Sequence, residues 1–259
     1  MSDFYNAEMA AKQERMARTK DMVRQRAKLM QAVSPAAGER VLELGSGNGI
    51  FTAELLEAVG PTGKVVGLDS STAIIEMARH FCPEGEFLHG DAQDLPFKDA
   101  TFDVVVAAQL FCFLDDVDTA LAEAFRVLKP RGRLIILDTD WQTLIWRSRN
   151  PALMERVMKA YTAVYSNAHL PRTLPERMAG AGFSNVDVDS LVVLNLNFAE
   201  DTYARQSAEF AVSIMSDSPE FSSAEQMSWL ADQERLNQEG GFFFSLNRYL
   251  ISASKPATT

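Results

Sequence analysis

"VLELGSGNGIFTAELLEAVGPTGKVVGLD", Val41–Asp69, runs from an apolar stretch through three glycines into a helical pattern, then through a second apolar stretch to an acid. In open α/β sheets, ligands bind at the carboxyl ends of strands, where the strand order reverses. A glycine cluster directly after one strand and before a helix is therefore the setting of a nucleotide-cofactor turn. Gly45, Gly47 and Gly49 remove side chains where backbone must approach a ligand. The dinucleotide fingerprint G-x-G-x-x-G requires glycine or alanine at position 50, and Ile50 stands there. That match fails at its third glycine. What remains is acid-x-G-x-G-x-G, with Glu43 before the turn and Asp69 at the end of the second strand.

Outward from this stretch, apolar runs rich in β-branched residues alternate with helical patterns. "RVLEL", "KVVGLD", "EFLHGD", "FDVVVAA" and "RLIILDTD" are separated by stretches such as "STAIIEMARHF" and "DTALAEAFRVLKP". The alternation predicts an α/β fold with a doubly wound parallel sheet, its strands apolar on both faces because helices cover each side. After "RLIILDTD" the rhythm changes. Residues 141–170 read as helical, "RTLPERMAGAGF" as a short helix ended by glycine, and "NVDVDSLVVLNLNF" as a strand. A second helical stretch covers about 199–241, and "FFFSLNRYLISASK" closes the chain as a strand. The expected organisation is a helical lid over 1–35 and a cofactor-binding domain over 36–259 carrying two insertions.

The chain of 259 residues has a formal charge of −10. That charge disfavours nucleic acid as a partner, since affinity for it comes from neutralising phosphates with Lys and Arg. No signal peptide or membrane-length apolar segment is visible, so a cytoplasmic protein without stable membrane insertion is expected. Cys82 and Cys112 lack metal-ligand spacing and read as reduced core thiols. Lys12, Arg15, Arg18, Lys20, Arg24, Arg26 and Lys28 crowd the N-terminal segment, where Met9, Met16, Val23 and Met30 recur at heptad spacing. This predicts an amphipathic helix, either with a solvated basic face docked to an acidic body or acting as a lid or guide for an anionic ligand.

A carboxylate at the position of Asp69 can accept hydrogens from both hydroxyls of a ribose, a charge-assisted arrangement worth about 1.5–3 kcal/mol. Glu43 can receive an ammonium or brace the loop. A ligand with a ribose, an amino-acid portion and no pyrophosphate meets these demands, and S-adenosyl-L-methionine is one. Here the sequence resembles the class I S-adenosylmethionine-dependent methyltransferases, in the broad group that includes the ubiquinone and menaquinone pathway enzymes. The resemblance covers roughly Glu39 to Thr139, in "VLELGSGNG", "VVGLDSS", "GDAQDLPFKDATFDVVVAAQLFCFL" and "AFRVLKPRGRLIILD". It implies a Rossmann-like sheet of seven strands, mostly parallel, with an antiparallel last strand. It further implies that Glu43, Gly45, Ser46 and Gly47 line the methionine part and that Asp69 and Ser70 hold the ribose. By the same resemblance Asp91 and Ala92 meet the adenine, and Gln109 lies beside the cofactor. Asp91 reads equally as a turn initiator, and Gln109 as a buried amide satisfied by backbone.

"AAQLFCF" lacks the Asn/Asp-Pro-Pro-aromatic signature of methyltransferases acting on amino groups in DNA, and no proline precedes Cys112 as in cytosine C5 enzymes. Ala107 and Ala108 stand where metal-assisted enzymes carry a carboxylate, so no metal is expected. A small organic acceptor is left. Trp141, Trp146, Tyr165 and Phe244 are the candidates for its apolar, aromatic pocket. His169 is the candidate general base, and reads equally as a surface residue at an element boundary. Two rivals remain open: an S-adenosylmethionine-binding protein catalysing a reaction other than methyl transfer, and a nicotinamide-dependent oxidoreductase.

Overall fold

The computed structural model describes residues 14–257. Five parallel strands form the frame: β1 (Arg40–Leu44), β2 (Lys64–Asp69), β3 (Glu86–His89), β4 (Phe102–Ala108) and β5 (Leu128–Thr139). They lie in the order β3-β2-β1-β4-β5 and reverse direction of travel after β3, between β1 and β4. Strand β8 (Phe244–Ser254) pairs antiparallel with β5, and β7 (Ser184–Asn195) pairs antiparallel with β8. The expected mostly parallel sheet with an antiparallel last strand is present. An eighth strand, β6 (Ile145–Trp146), is two residues long and pairs with Ser245 and Phe244.

Strands β1, β2, β4 and β5 bury both faces, which is why their runs are apolar without alternation. Leu42, Leu44, Val105, Leu134 and Ile136 point to one side, against α4 (Val117–Val127) and α6 (Leu174–Gly180). Val41, Val65, Val104, Val106, Ile135 and Leu137 point to the other, against α1 (Lys20–Val33) and α2 (Ile50–Val59). Two of the crossover helices begin where their sequences provide a side-chain cap. Ser71 accepts from Ile74 N to open α3 (Thr72–Phe81), and Asp116 accepts from Thr119 N to open α4.

The two segments after β5 and β7 rise from the carboxyl end of the sheet and share a separate core. It contains α5 (Pro151–Thr162), α7 (Tyr203–Asp217) and α8 (Ser223–Gln238), around Trp146, Val157, Tyr161, Tyr203, Trp229 and Phe244. The helix expected from Trp141 begins ten residues later. Asp140 caps a single 3-10 turn at Trp141–Thr143, β6 follows, and α5 starts only where Asn150 caps and Pro151 sets the first helical φ.

The N-terminal helix departs from its expected register. Met9 and Lys12 lie outside the described residues. Thr19 takes extended backbone angles and accepts from Met22 N, so a new helix starts at Lys20 and the heptad does not run through it. Val23, expected on the apolar face, is 50% exposed; Gln25, Leu29 and Val33 are buried instead. The basic residues pair with acids of the body: Arg15 with Glu209, Lys20 with Asp201, Arg26 with Glu54 and Lys28 with Asp189. This is the docked basic face, not a free cationic guide. Asp21 ties the helix to the lid by accepting from Asn195 Nδ2 and Tyr203 N.

Candidate active site

The turn after β1 is held by backbone. Gly45 N and Ser46 N both donate to Leu68 O, which folds the loop over β2. Gly45, Gly47 and Gly49 all take positive φ, at 69°, 54° and 80°. A Cβ on Gly45 would lie 3.2 Å from Leu110, and one on Gly49 would lie 3.0 Å from Phe87. Those two glycines serve internal packing. A Cβ on Gly47 would meet nothing within 4 Å, so space opens in front of this residue alone of the three. Beside it, the Ser46 hydroxyl is buried and has no hydrogen-bond partner.

Asp69 turns its carboxylate into this opening. One oxygen accepts from Gly47 N and the other from Ser71 N, each at 3.0 Å, which fixes the group while leaving each oxygen a further lone pair. Burial pushes the Asp69 carboxyl up from its ordinary range, and the backbone donors oppose that shift. Ser70 is exposed, its carbonyl 3.0 Å from His89 Nε2. Asp91 is exposed and accepts from the backbone and amide nitrogens of Gln93, while Ala92 is buried against the sheet. Gln109 sits at φ 57°, a conformation uncommon for a side-chain-bearing residue. Its amide oxygen accepts from Thr139 Oγ1 at 2.7 Å, which joins the carboxyl ends of β4 and β5.

Glu43 faces inward under α2. Its carboxyl accepts from the Thr52 hydroxyl, and burial pushes its pKa up to about 8. Through that hydrogen bond Glu43 braces the turn against the helix.

On the acceptor side, the Trp141 ring stacks on Tyr165 at 4.0 Å with 15° between planes. Trp146 packs edge-on against Phe244 at 5.0 Å and Trp229 at 5.1 Å, inside the lid core. Burial raises the phenols of Tyr161 and Tyr165 far above their ordinary range. His169 is half exposed, its Nδ1 3.6 Å from Asp140, whose carboxylate also takes a two-point contact from Arg172. A shallow cleft lined by Asn150, Leu153, Arg156 and Glu225 includes none of these groups. Cys82 and Cys112 are buried and free. Sequence reasoning overlooked Thr139 and Arg248; an arginine in the apolar run "SLNRYLIS" was the one available signal.

A glycine turn open at Gly47, an orphaned buried hydroxyl and a fixed carboxylate at the strand-order reversal mark a doubly wound α/β fold with a candidate cofactor site. Comparison with known proteins agrees. A model described as a methyltransferase domain matches residues 42–136. A demethylmenaquinone methyltransferase of Lactococcus lactis is 38% identical over 149 residues, 55% of this chain and 59% of that protein. Another, from Oceanobacillus iheyensis, is 31% identical over 181 residues, 62% of this chain and 76% of that protein. The YcgJ protein of Bacillus subtilis has the same fold, with a TM-score of 0.62 at 19% identity over 91% of this chain and 99% of its own. The chain belongs to the class I S-adenosylmethionine-dependent methyltransferases. The match covers about three-fifths of the length of the Lactococcus relative, and the domain model ends at residue 136, before the lid.

Proposed function

We propose that this protein binds S-adenosyl-L-methionine across Gly45, Ser46, Gly47, Asp69 and Gln109 and transfers its methyl group to a small aromatic or apolar acceptor beneath the lid. The observation that carries the reading is the fixed Asp69 carboxylate beside the space at Gly47 and the partnerless Ser46 hydroxyl. Asp69 takes the ribose hydroxyls, with Ser70 beside it, and Asp91 and Ala92 flank the base. When bound, the cofactor supplies an electrophilic methyl on a sulfonium sulfur. The chain's own task is to hold the acceptor in line at near-attack distance and exclude water.

Trp141 and Tyr165 form the wall nearest the end of β5, with Trp146 and Phe244 behind them. His169, oriented by Asp140, takes the proton of an acceptor that arrives protonated. The N-terminal segment 1–35 and the two insertions close over the domain as its lid. The acidic surface and the free buried thiols suit a cytoplasmic enzyme acting on a metabolite, not on nucleic acid and without a metal ion.

Calorimetry with S-adenosylhomocysteine and NAD tests the cofactor assignment: binding of the first and not the second is expected, and the reverse overturns it. Incubation of a mixed metabolite extract with methyl-labelled cofactor tests the transfer. Label in a small organic product is expected, and cofactor binding without label in any product would refute the methyl-transfer reading.

A further inference from the structure

Arg248 lies in β8, paired with Thr139 on β5 and Leu191 on β7. It is 1% exposed, yet among the described residues it makes no ion pair. One terminal nitrogen donates to Gln25 Oε1 on α1 and lies 3.1 Å from Met22 Sδ; the guanidinium carbon stands 4.4 Å over the Tyr203 ring. The Nε hydrogen is buried with no acceptor. A guanidinium does not shed its proton in a protein, so this is a permanent positive charge in a dry, aromatic enclosure. Such charges are normally paired, because desolvation is otherwise uncompensated.

The buried acid Asp138, on the paired strand, does not serve as its partner. Side chains alternate across a strand, and directly paired residues share a face. Thr139 and Arg248 therefore point to one face of the sheet, with Leu137 and Leu250, while Asp138 and Tyr249 point to the other. Asp138 spends its carboxylate on Cys112 N and Thr139 N. On the face of Arg248, the hydroxyl of Thr139 donates to Gln109 at the carboxyl end of β4. With neighbouring strands about 4.8 Å apart, Arg248 stands two strands, about 10 Å, from the end of β4.

Ser207, one turn beyond Tyr203 on the same face of α7, is fully buried with its hydroxyl beside the Tyr161 phenol. The phenols of Tyr161 and Tyr165 lie beside one another within the field of Arg248, and burial keeps both protonated.

We propose that Arg248 is a binding residue for an ionised oxygen of the acceptor, and that the acceptor class is an aromatic ring carrying a carboxylate or phenolate. This rests on the methyl-transfer reading and names its substrate class. The guanidinium supplies a planar donor pair matched to such an oxygen, and Ser207 with the tyrosine hydroxyls completes the cradle. The ring then stacks toward Trp141 and Tyr165.

The test uses the full chain saturated with S-adenosylhomocysteine, whose own affinity is measured first, so that loss of the cofactor site is told apart from loss of this one. Benzoate and 4-nitrophenolate are titrated against neutral benzamide, with tryptophan fluorescence and melting temperature as readouts. At least one anion should bind tenfold or more tighter than benzamide, and whichever does so identifies the source of the charge. Arg248→Met should abolish that preference, leave cofactor affinity unchanged and hold or raise the melting temperature, because an unpaired buried charge is gone. Arg248→Lys keeps the charge and should retain part of the preference. Failure of both anions to outbind benzamide in the unaltered protein overturns the proposal whether or not the variants fold. So does an anion preference that survives in Arg248→Met.

Discussion

Thr52 on α2 donates its hydroxyl hydrogen to the Glu43 carboxyl on β1, and both side chains are buried between strand and helix. Burial dominates, so Glu43 holds its proton up to about pH 8, against an ordinary value of 4.5. Across that window the folded protein binds a proton that the unfolded chain has released. Stability therefore falls as pH rises from about 4.5 to about 8 and levels off above it. Each unit of pH in the window costs up to about 1.4 kcal/mol. Glu43→Gln keeps an acceptor for Thr52 and removes the titration. Urea unfolding at pH 5.5 and 8 should show the variant gaining on the parent at the higher pH; equal differences at both would place the proton elsewhere.

Asp69 predicts a cofactor effect with little effect on folding. Its two oxygens hold Gly47 N and Ser71 N, so Asp69→Asn retains one acceptor and Asp69→Ala none. The alanine variant should bind S-adenosylhomocysteine about 10- to 100-fold more weakly, corresponding to about 1.5–3 kcal/mol. Calorimetry giving the parent affinity would remove Asp69 from the ribose.

The frame was legible because its signals are local. Val41–Leu44 and Lys64–Asp69 are apolar on both faces, a glycine cluster separates them, and α3 and α4 carry their own caps at Ser71 and Asp116. The lid was legible only in outline. Ile145 and Trp146 form a strand because Phe244 and Ser245, a hundred residues on, offer backbone partners. Nothing local announces that pairing. The same holds for Val23 and Gln25: Thr19 resets the helix, and Gln25 is buried by a partner, Arg248, that lies at the far end of the chain. Glu43 was recognised as an acid at the turn, yet its inward direction depends on Thr52 in the next helix.

His169 stands with Nδ1 3.6 Å from Asp140, at the start of the turn Leu170–Arg172. If it takes the acceptor's proton, His169→Gln should lower kcat by about 100-fold or more, the usual scale of general-base catalysis. The KM for S-adenosylmethionine should stay unchanged, because the Gly47 turn and Asp69 are distant in the chain and untouched. Steady-state kinetics separates the two parameters. An unchanged kcat would show that the acceptor arrives without a proton to lose, or that another group removes it.

Trp146 and Trp141 should separate stability from turnover. Trp146 is closed in by Tyr161, Trp229 and Phe244, and its indole nitrogen is buried without a partner. Trp146→Ala leaves a cavity in the lid core and should cost about 3–5 kcal/mol, at about 2–4 °C of melting temperature per kcal/mol for a chain of this size. Cofactor affinity should be spared, since the sheet's own cores on both faces are separate from that of the lid. Trp141 stacks on Tyr165 beside the end of β5. Trp141→Phe preserves an aromatic face there, so its melting temperature should move less than that of Trp146→Ala while acceptor KM rises. Melting, calorimetry and turnover on both variants decide the assignment. Trp141 is itself buried in the lid core, so a large stability loss in Trp141→Phe with unaltered acceptor KM would make it a packing residue only and leave Tyr165 as the pocket wall.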